Sequence, residues 1–223
     1  MRLKDYEKRE GKRVWLSERE MQLLIENVDE SNETAEAALL LAGRCGLRRA
    51  EIVDVTPADV VRTDHGDVVR VWEGKDDKYR EVPAPDRLVT LLRGRALAPD
   101  EPIVDVQPQT IYKYVKRARA RCRAETADEG WQYVGPHDLR RSWGILVLER
   151  GVLPSVVMQW GGWDNWRTFR DHYLSEFSPA ALRRERGKVD WYGRGFSSSS
   201  SRPSRSRPSN DSYAAIEPAH RRD

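Results

Sequence analysis

Cysteine, histidine and long apolar runs are all scarce in this sequence, and each shortage closes off a class of function. The two cysteines, Cys45 and Cys122, are too few for a disulfide framework and sit in no CxxC or other metal-ligand spacing, so they read as reduced thiols. The four histidines, His65, His137, His172 and His220, form neither HExxH nor HxH, which leaves zinc without a ligand set; no metal and no cofactor are expected. No apolar run approaches the ~20 residues that cross a bilayer. The opening stretch MRLKDYEKREGKR alternates charges where a secretory signal would hold roughly 7–15 apolar residues. A cytoplasmic chain with no membrane partner is the expectation.

What is present fits one domain with a real core, or two small ones: 223 residues, 39% hydrophobic and 34% charged. The net charge of +3 hides an asymmetry, because residues 193–223 hold six arginines against three acids and leave 33 basic and 33 acidic residues in the rest. That Ser/Arg/Pro-rich stretch has few large apolar residues to offset the entropy of ordering, and reads as a disordered basic tail. With a neutral body, any nucleic-acid footprint has to come from local clusters. The strongest is Lys113, Lys116, Arg117, Arg119, Arg121 and Arg123, six basic residues and no acid in eleven positions. So unbalanced a helix favours phosphate tracking over a merely solvated face.

Residues 1–13 are charged and expected to be loose. Ser17 and Glu20 spell a capping box, so a helix starts at Glu18. AEAALLLAGRC forms a second helix stopped by Gly46, and a short third helix follows from Arg48. VVR, VVRVW and YREVP, separated by Asp64–Asp67 and Gly74–Asp77, predict a three-stranded antiparallel meander. Helical patterns follow over 86–94, 108–124, 137–150, 154–160, 164–173 and 179–190. The fold class is predominantly α with a small three-stranded antiparallel sheet (α+β).

Four groups of residues can carry chemistry. Arg48 and Glu51 stand one helical step apart past a glycine turn, where the carboxylate can hold the guanidinium. Gly74 to Arg80 is a hairpin tip that projects Lys75, Lys78 and Arg80 beyond the sheet, and a flexible ammonium there can reach a phosphate or leaving oxygen. His137 and Arg140 share a face at a helix start, which suits an anion. Trp160-Gly161-Gly162-Trp163, followed by Tyr173, reads on its own as packing. Each group alone has an ordinary structural reading.

Taken in order, Gly46-Leu47-Arg48 with Glu51, Gly74-Lys75, His137-Asp138-Leu139-Arg140, Gly162-Trp163 and Tyr173 resemble the tyrosine recombinases, the phage-integrase family. The resemblance implies the DNA breaking-rejoining fold over residues 14–192, with no metal, no cofactor and no small-molecule substrate. It implies that Arg48 and Arg140 grip the scissile phosphate, with Glu51 in support. Lys75 would act as general acid, with Lys78 as its substitute, His137 and Trp163 would complete the pocket, and Tyr173 would be the nucleophile of a 3′-phosphotyrosyl intermediate. The implied partners are double-stranded DNA and a homo-tetramer assembled on it, associated with the nucleoid when bound. Two departures stand out. Tyr173 lies one position further from Trp163 than is usual, implying a one-residue insertion in the intervening turn. Thirteen leading residues also cannot hold the helical domain that normally completes the DNA clamp. A DNA-binding accessory or regulatory protein that keeps this fold, and a DNA-relaxing enzyme, are the alternative readings. Residues 174–192 would pack either in cis or on an adjacent protomer.

Overall fold

The computed structural model describes residues 1–6, 10–72, 79–174, 179–189 and 191. At its centre is α2 (Glu33–Gly43), whose sequence ETAEAALLLAG offers no polar stripe beyond its first turn. From Ala37 to Ala42 every residue is 2% exposed or less, as in a helix walled in on all sides. Around it pack α1 (Glu18–Glu26), α3 (Arg49–Asp54), α4 (Asp86–Gly94), α5 (Pro108–Thr126) and α6 (Pro136–Glu149). The capping box forms as spelled: Glu20 accepts from the Ser17 N–H at 2.8 Å while the Ser17 hydroxyl accepts from the Glu20 N–H at 3.4 Å. Gly46 has φ +67, and a Cβ there would overlap the Trp143 ring on α6, so both backbone and space require glycine.

The sheet is the meander β3 (Val60–Thr63), β4 (Gly66–Val71) and β5 (Arg80–Pro83), with Val69 opposite both Val60 and Val82 and with Val71 opposite Arg80. Beyond α6 come α7 (Pro154–Gly161), α8 (Trp166–Phe169), a π-helical turn at Arg170–Leu174 and α9 (Pro179–Gly187). Val157, Phe169 and Tyr173 form a small second core against Ile145 and Leu148. The α+β class with a small three-stranded antiparallel sheet stands. No helix among the described residues is long and apolar enough to cross a membrane. Lys75 and Lys78 lie outside the described residues, as do residues 193–223, the segment expected to be a tail.

One expectation is corrected. Residues 1–13, read as loose, include β1 (Arg2–Asp5), paired antiparallel with β2 (Lys12–Trp15). The pairing survives a charged composition because only Val14 has to be buried. Its backbone N–H donates to Asp138 Oδ1 at 3.2 Å, and the next segment follows suit with the Leu16 N–H on Ser142 Oγ at 2.8 Å. The charged side chains of β1 all face outward, and Arg2 covers the Trp15 ring at 4.5 Å.

Gly46→Ala tests this packing. A left-handed alanine costs about 1–2 kcal/mol and overpacking against Trp143 about 1–3, so denaturant unfolding will show a loss of roughly 2–5 kcal/mol. A loss under about 1 kcal/mol contradicts the assignment.

Candidate active site

The site is built on the C-terminal end of α7. There Gly162, at φ +63, closes the helix: the Trp163 N–H reaches Met158 O at 3.0 Å and the Gly162 N–H reaches Gln159 O at 3.2 Å. Three consecutive carbonyls remain, and each accepts from a different arginine. Arg80 Nε donates to Trp160 O at 3.0 Å, Arg140 Nη2 to Gly161 O at 2.5 Å, and Arg48 Nη2 to Gly162 O at 3.1 Å. Orphan carbonyls and the negative end of the helix dipole favour cations at this position. The two glycines are obligatory, since a Cβ on Gly161 would overlap the Trp163 ring and one on Gly162 would stand 3.2 Å from Arg80 Cδ in a left-handed backbone.

Arg48 precedes α3, and Glu51 reaches back to it twice, accepting from its backbone N–H and from Nη1, each at 2.6 Å. Burial alone would raise the pKa of Glu51; the hydrogen bond and charge of Arg80, followed by Arg48, outweigh it and hold the carboxyl below its ordinary range. Arg140 is 3% exposed, donates also to Gly46 O, and lies with its guanidinium 4.4 Å from the centre of the Trp163 ring. Burial, reinforced by the neighbouring Arg48, lowers its pKa to about 10, which leaves it charged at neutral pH. The α6 start that carries it is fixed by Asp138, which accepts from the Gly135 N–H at 3.0 Å and pairs with Arg141.

Tyr173 packs 4.8 Å from Trp163 and stacks 4.9 Å from Phe169, and it closes on Gly144, where a Cβ would come within 2.8 Å of its ring. Burial raises its pKa, with Arg140, Arg141 and Arg48 pulling the other way. The π-turn that carries it, Arg170–Leu174, holds one residue more per hydrogen-bonded turn than an α-helix.

Arg48 and Arg140 line a groove of about 350 Å³ with Leu47, Arg49, Pro136 and the exposed His137. The structure brings together Arg48, Glu51, His137, Arg140, Trp163 and Tyr173. It divides the basic residues of α5: Arg119 donates to Val134 O, Arg121 to Asn27 O and Asp29, and Arg123 to Glu129, whereas Lys113, Lys116 and Arg117 are exposed with no ion pair among the described residues. Arg184 of α9 donates to Glu149 O at the end of α6, a contact in cis.

Arg80 is a second correction. Expected at the projecting tip, it is 6% exposed and forks onto Glu51, Nη2 to Oε2 at 2.6 Å and Nη1 to Oε1 at 3.1 Å. The signal was present in YREVP: strand side chains alternate, so an inward Val82 implies an inward Arg80. Trp143, which stacks 5.9 Å from Trp163, and Phe169 were also missed, because single aromatics carry no spacing signature.

Two guanidiniums line one groove, and a tyrosine packs against the indole that covers one of them. The phage integrase family model matches residues 14–178, and the chain belongs to that family. It is 28% identical over 163 residues to a tyrosine recombinase of Thermosipho africanus, an alignment covering 69% of this chain and 54% of that protein. Its fold matches the crystal structure of XerA recombinase with a TM-score of 0.62 at 23% identity, covering 78% of this chain and 64% of that one. It also matches XerH recombinase bound to a palindromic difH substrate, with a TM-score of 0.59 at 20% identity over 80% of this chain and 53% of that one. The chain spans about half to two thirds of the length of these three proteins.

The raised pKa of Tyr173 means that the folded phenol holds its proton more tightly than a free one. Phenolate absorbance of the wild type minus Tyr173→Phe will show its ionisation step in the alkaline range. A step below about pH 9 contradicts the burial argument.

Proposed function

We propose that residues 14–192 are the catalytic domain of a tyrosine-type site-specific recombinase that cuts and rejoins double-stranded DNA through a 3′-phosphotyrosyl intermediate. The observation that carries this is the pairing of Arg48 and Arg140 on one helix end, with Tyr173 packed against the Trp163 that covers Arg140. A further neighbour, the Tn1549 transposon integrase, was solved in complex with circular intermediate DNA, which supports DNA as the partner here.

In this reading a phosphodiester enters the groove and its non-bridging oxygens meet Arg48 and Arg140. Planar guanidiniums match two oxygens at a time and neutralise the charge that gathers in the five-coordinate transition state. Their donors are already oriented by the α7 carbonyls, so little reorganisation accompanies the reaction. The Tyr173 oxygen attacks phosphorus and passes its proton to solvent water as the O–P bond forms, helped by the positive charge of Arg140 and Arg48. The bond to the 5′ oxygen breaks, and that oxygen takes a proton from Lys75, with Lys78 as its substitute. His137, at the groove mouth, hydrogen-bonds the phosphate. Rejoining is the same path reversed with a second strand's 5′ hydroxyl as nucleophile, and the phosphotyrosyl bond keeps the energy of the broken one. Four protomers acting on two duplexes complete strand exchange.

Duplex backbone outside the groove is held by the outer face of α5, through Lys113, Lys116 and Arg117. Neutralising these three will reduce the slope of log affinity against log salt by about 2–3, at roughly 0.9 per phosphate contact; an unchanged slope removes α5 from the interface.

The test of the chemistry is covalent trapping. Incubation with a nicked duplex pool of randomised sequence will yield a protein–DNA adduct that survives denaturation and vanishes in Tyr173→Phe. DNA binding without any adduct, or an adduct retained in Tyr173→Phe, overturns the reading.

A further inference from the structure

We propose that Arg80 is a charge-setting and positioning residue, which lets Glu51 hold Arg48 by hydrogen bonds without cancelling the charge that Arg48 offers to phosphate. The proposal rests on the function proposed above, in that Arg48 is taken as a phosphate ligand.

Arg80 is too deep to touch DNA. Its side chain is 4% exposed, and its three nitrogens are committed to Trp160 O, Glu51 Oε1 and Glu51 Oε2. Glu51, equally buried at 4%, accepts four hydrogen bonds, two from each arginine. The two partners are not equivalent. Arg80 meets the carboxylate fork to fork and is as buried as Glu51 itself. Arg48 meets it side-on through Nη1, and its side chain stays 29% exposed on the groove. The bidentate, desolvated pair is the stronger one, so Arg80 is the partner that neutralises Glu51.

The consequence is electrostatic. Arg48, Glu51 and Arg80 together carry one net positive charge, and its outlet is Arg48. Without Arg80, Glu51 would pair with Arg48 alone and the trio would become a neutral duo, well ordered but weak toward an anion. Arg80 also ties the first residue of β5 to Trp160 O, so one side chain joins the sheet to the helix end that orders Arg48 and Arg140. It acts through Glu51 and never on substrate.

The decisive comparison is Arg80→Met against the double variant Glu51→Gln/Arg80→Met. The double removes both buried charges at once and restores the net positive charge on Arg48. Inorganic phosphate is titrated while the Arg48 side-chain N–H signal is followed by NMR, in wild type and variants, with Arg48→Lys to assign the signal. Arg80→Met will bind phosphate about tenfold more weakly, and the double will return to within about threefold of wild type. Arg80→Lys, which keeps the charge, will also stay within about threefold, and together with the double it decides the question if Arg80→Met fails to melt cooperatively. A double variant as weak as or weaker than Arg80→Met, or an Arg80→Lys that loses binding in full, overturns the proposal, since a purely structural role allows no such recovery. Covalent adduct formation on the nicked duplex pool will follow the same order. Absence of an adduct in the wild type counts against the proposed function, whereas the order of phosphate affinities judges Arg80 independently.

Discussion

The end of α7 is the constraint on which the site depends. Once Gly162 turns into the left-handed region, the carbonyls of Trp160, Gly161 and Gly162 have no helical partner, and buried carbonyls must find donors. They find three arginines from β5, α6 and the start of α3. Guanidiniums repel one another at close range, and a helix C-terminus is one of the few backbone features that gathers them. Changing Gly161 or Gly162 to any other residue type disturbs Trp163 or Arg80 directly, so the paired glycines are as much a part of the chemistry as the arginines.

From that end the rest follows by contact. Trp163 leaves the α7 turn and lies under the Arg140 guanidinium, and Tyr173 and Phe169 pack on its ring, while Trp143 stacks on it from α6. The tyrosine is therefore located relative to the arginines through an aromatic cluster and not through a bond of its own to them. The π-turn at Arg170–Leu174 carries the tyrosine onto that cluster. Glu51 supplies the only carboxylate shared by two of these arginines among the described residues.

Most of the architecture was legible because its signals are local. The apolar run of α2, the Ser17–Glu20 box and the three β-rich segments each declare their state within a few residues, and α4 falls on 86–94 as its pattern predicts. The charged residues 1–13 misled because composition measures side chains, while β1 and β2 are held by backbone pairing and one buried valine. The motif residues Arg48, Glu51, His137, Arg140, Trp163 and Tyr173 were legible as a set only through their order along the chain. Arg80 was hidden by a local reading of its neighbours: next to Lys75 and Lys78 it looks like one more tip cation, and only strand parity places it inside. The division of α5 was not legible at all, since which arginines find Val134, Asp29 or Glu129 depends on tertiary packing.

Everything at the site turns on whether one helix end presents two arginines to a single phosphate. A crystal structure of the protein soaked with tungstate, a tetrahedral oxyanion, tests this directly. The expected result is an ion in the groove beside His137, bonded to both Arg48 and Arg140, with their contacts to Gly162 O and Gly161 O intact. An ion bound elsewhere, or either arginine turned away from the α7 carbonyls, contradicts it.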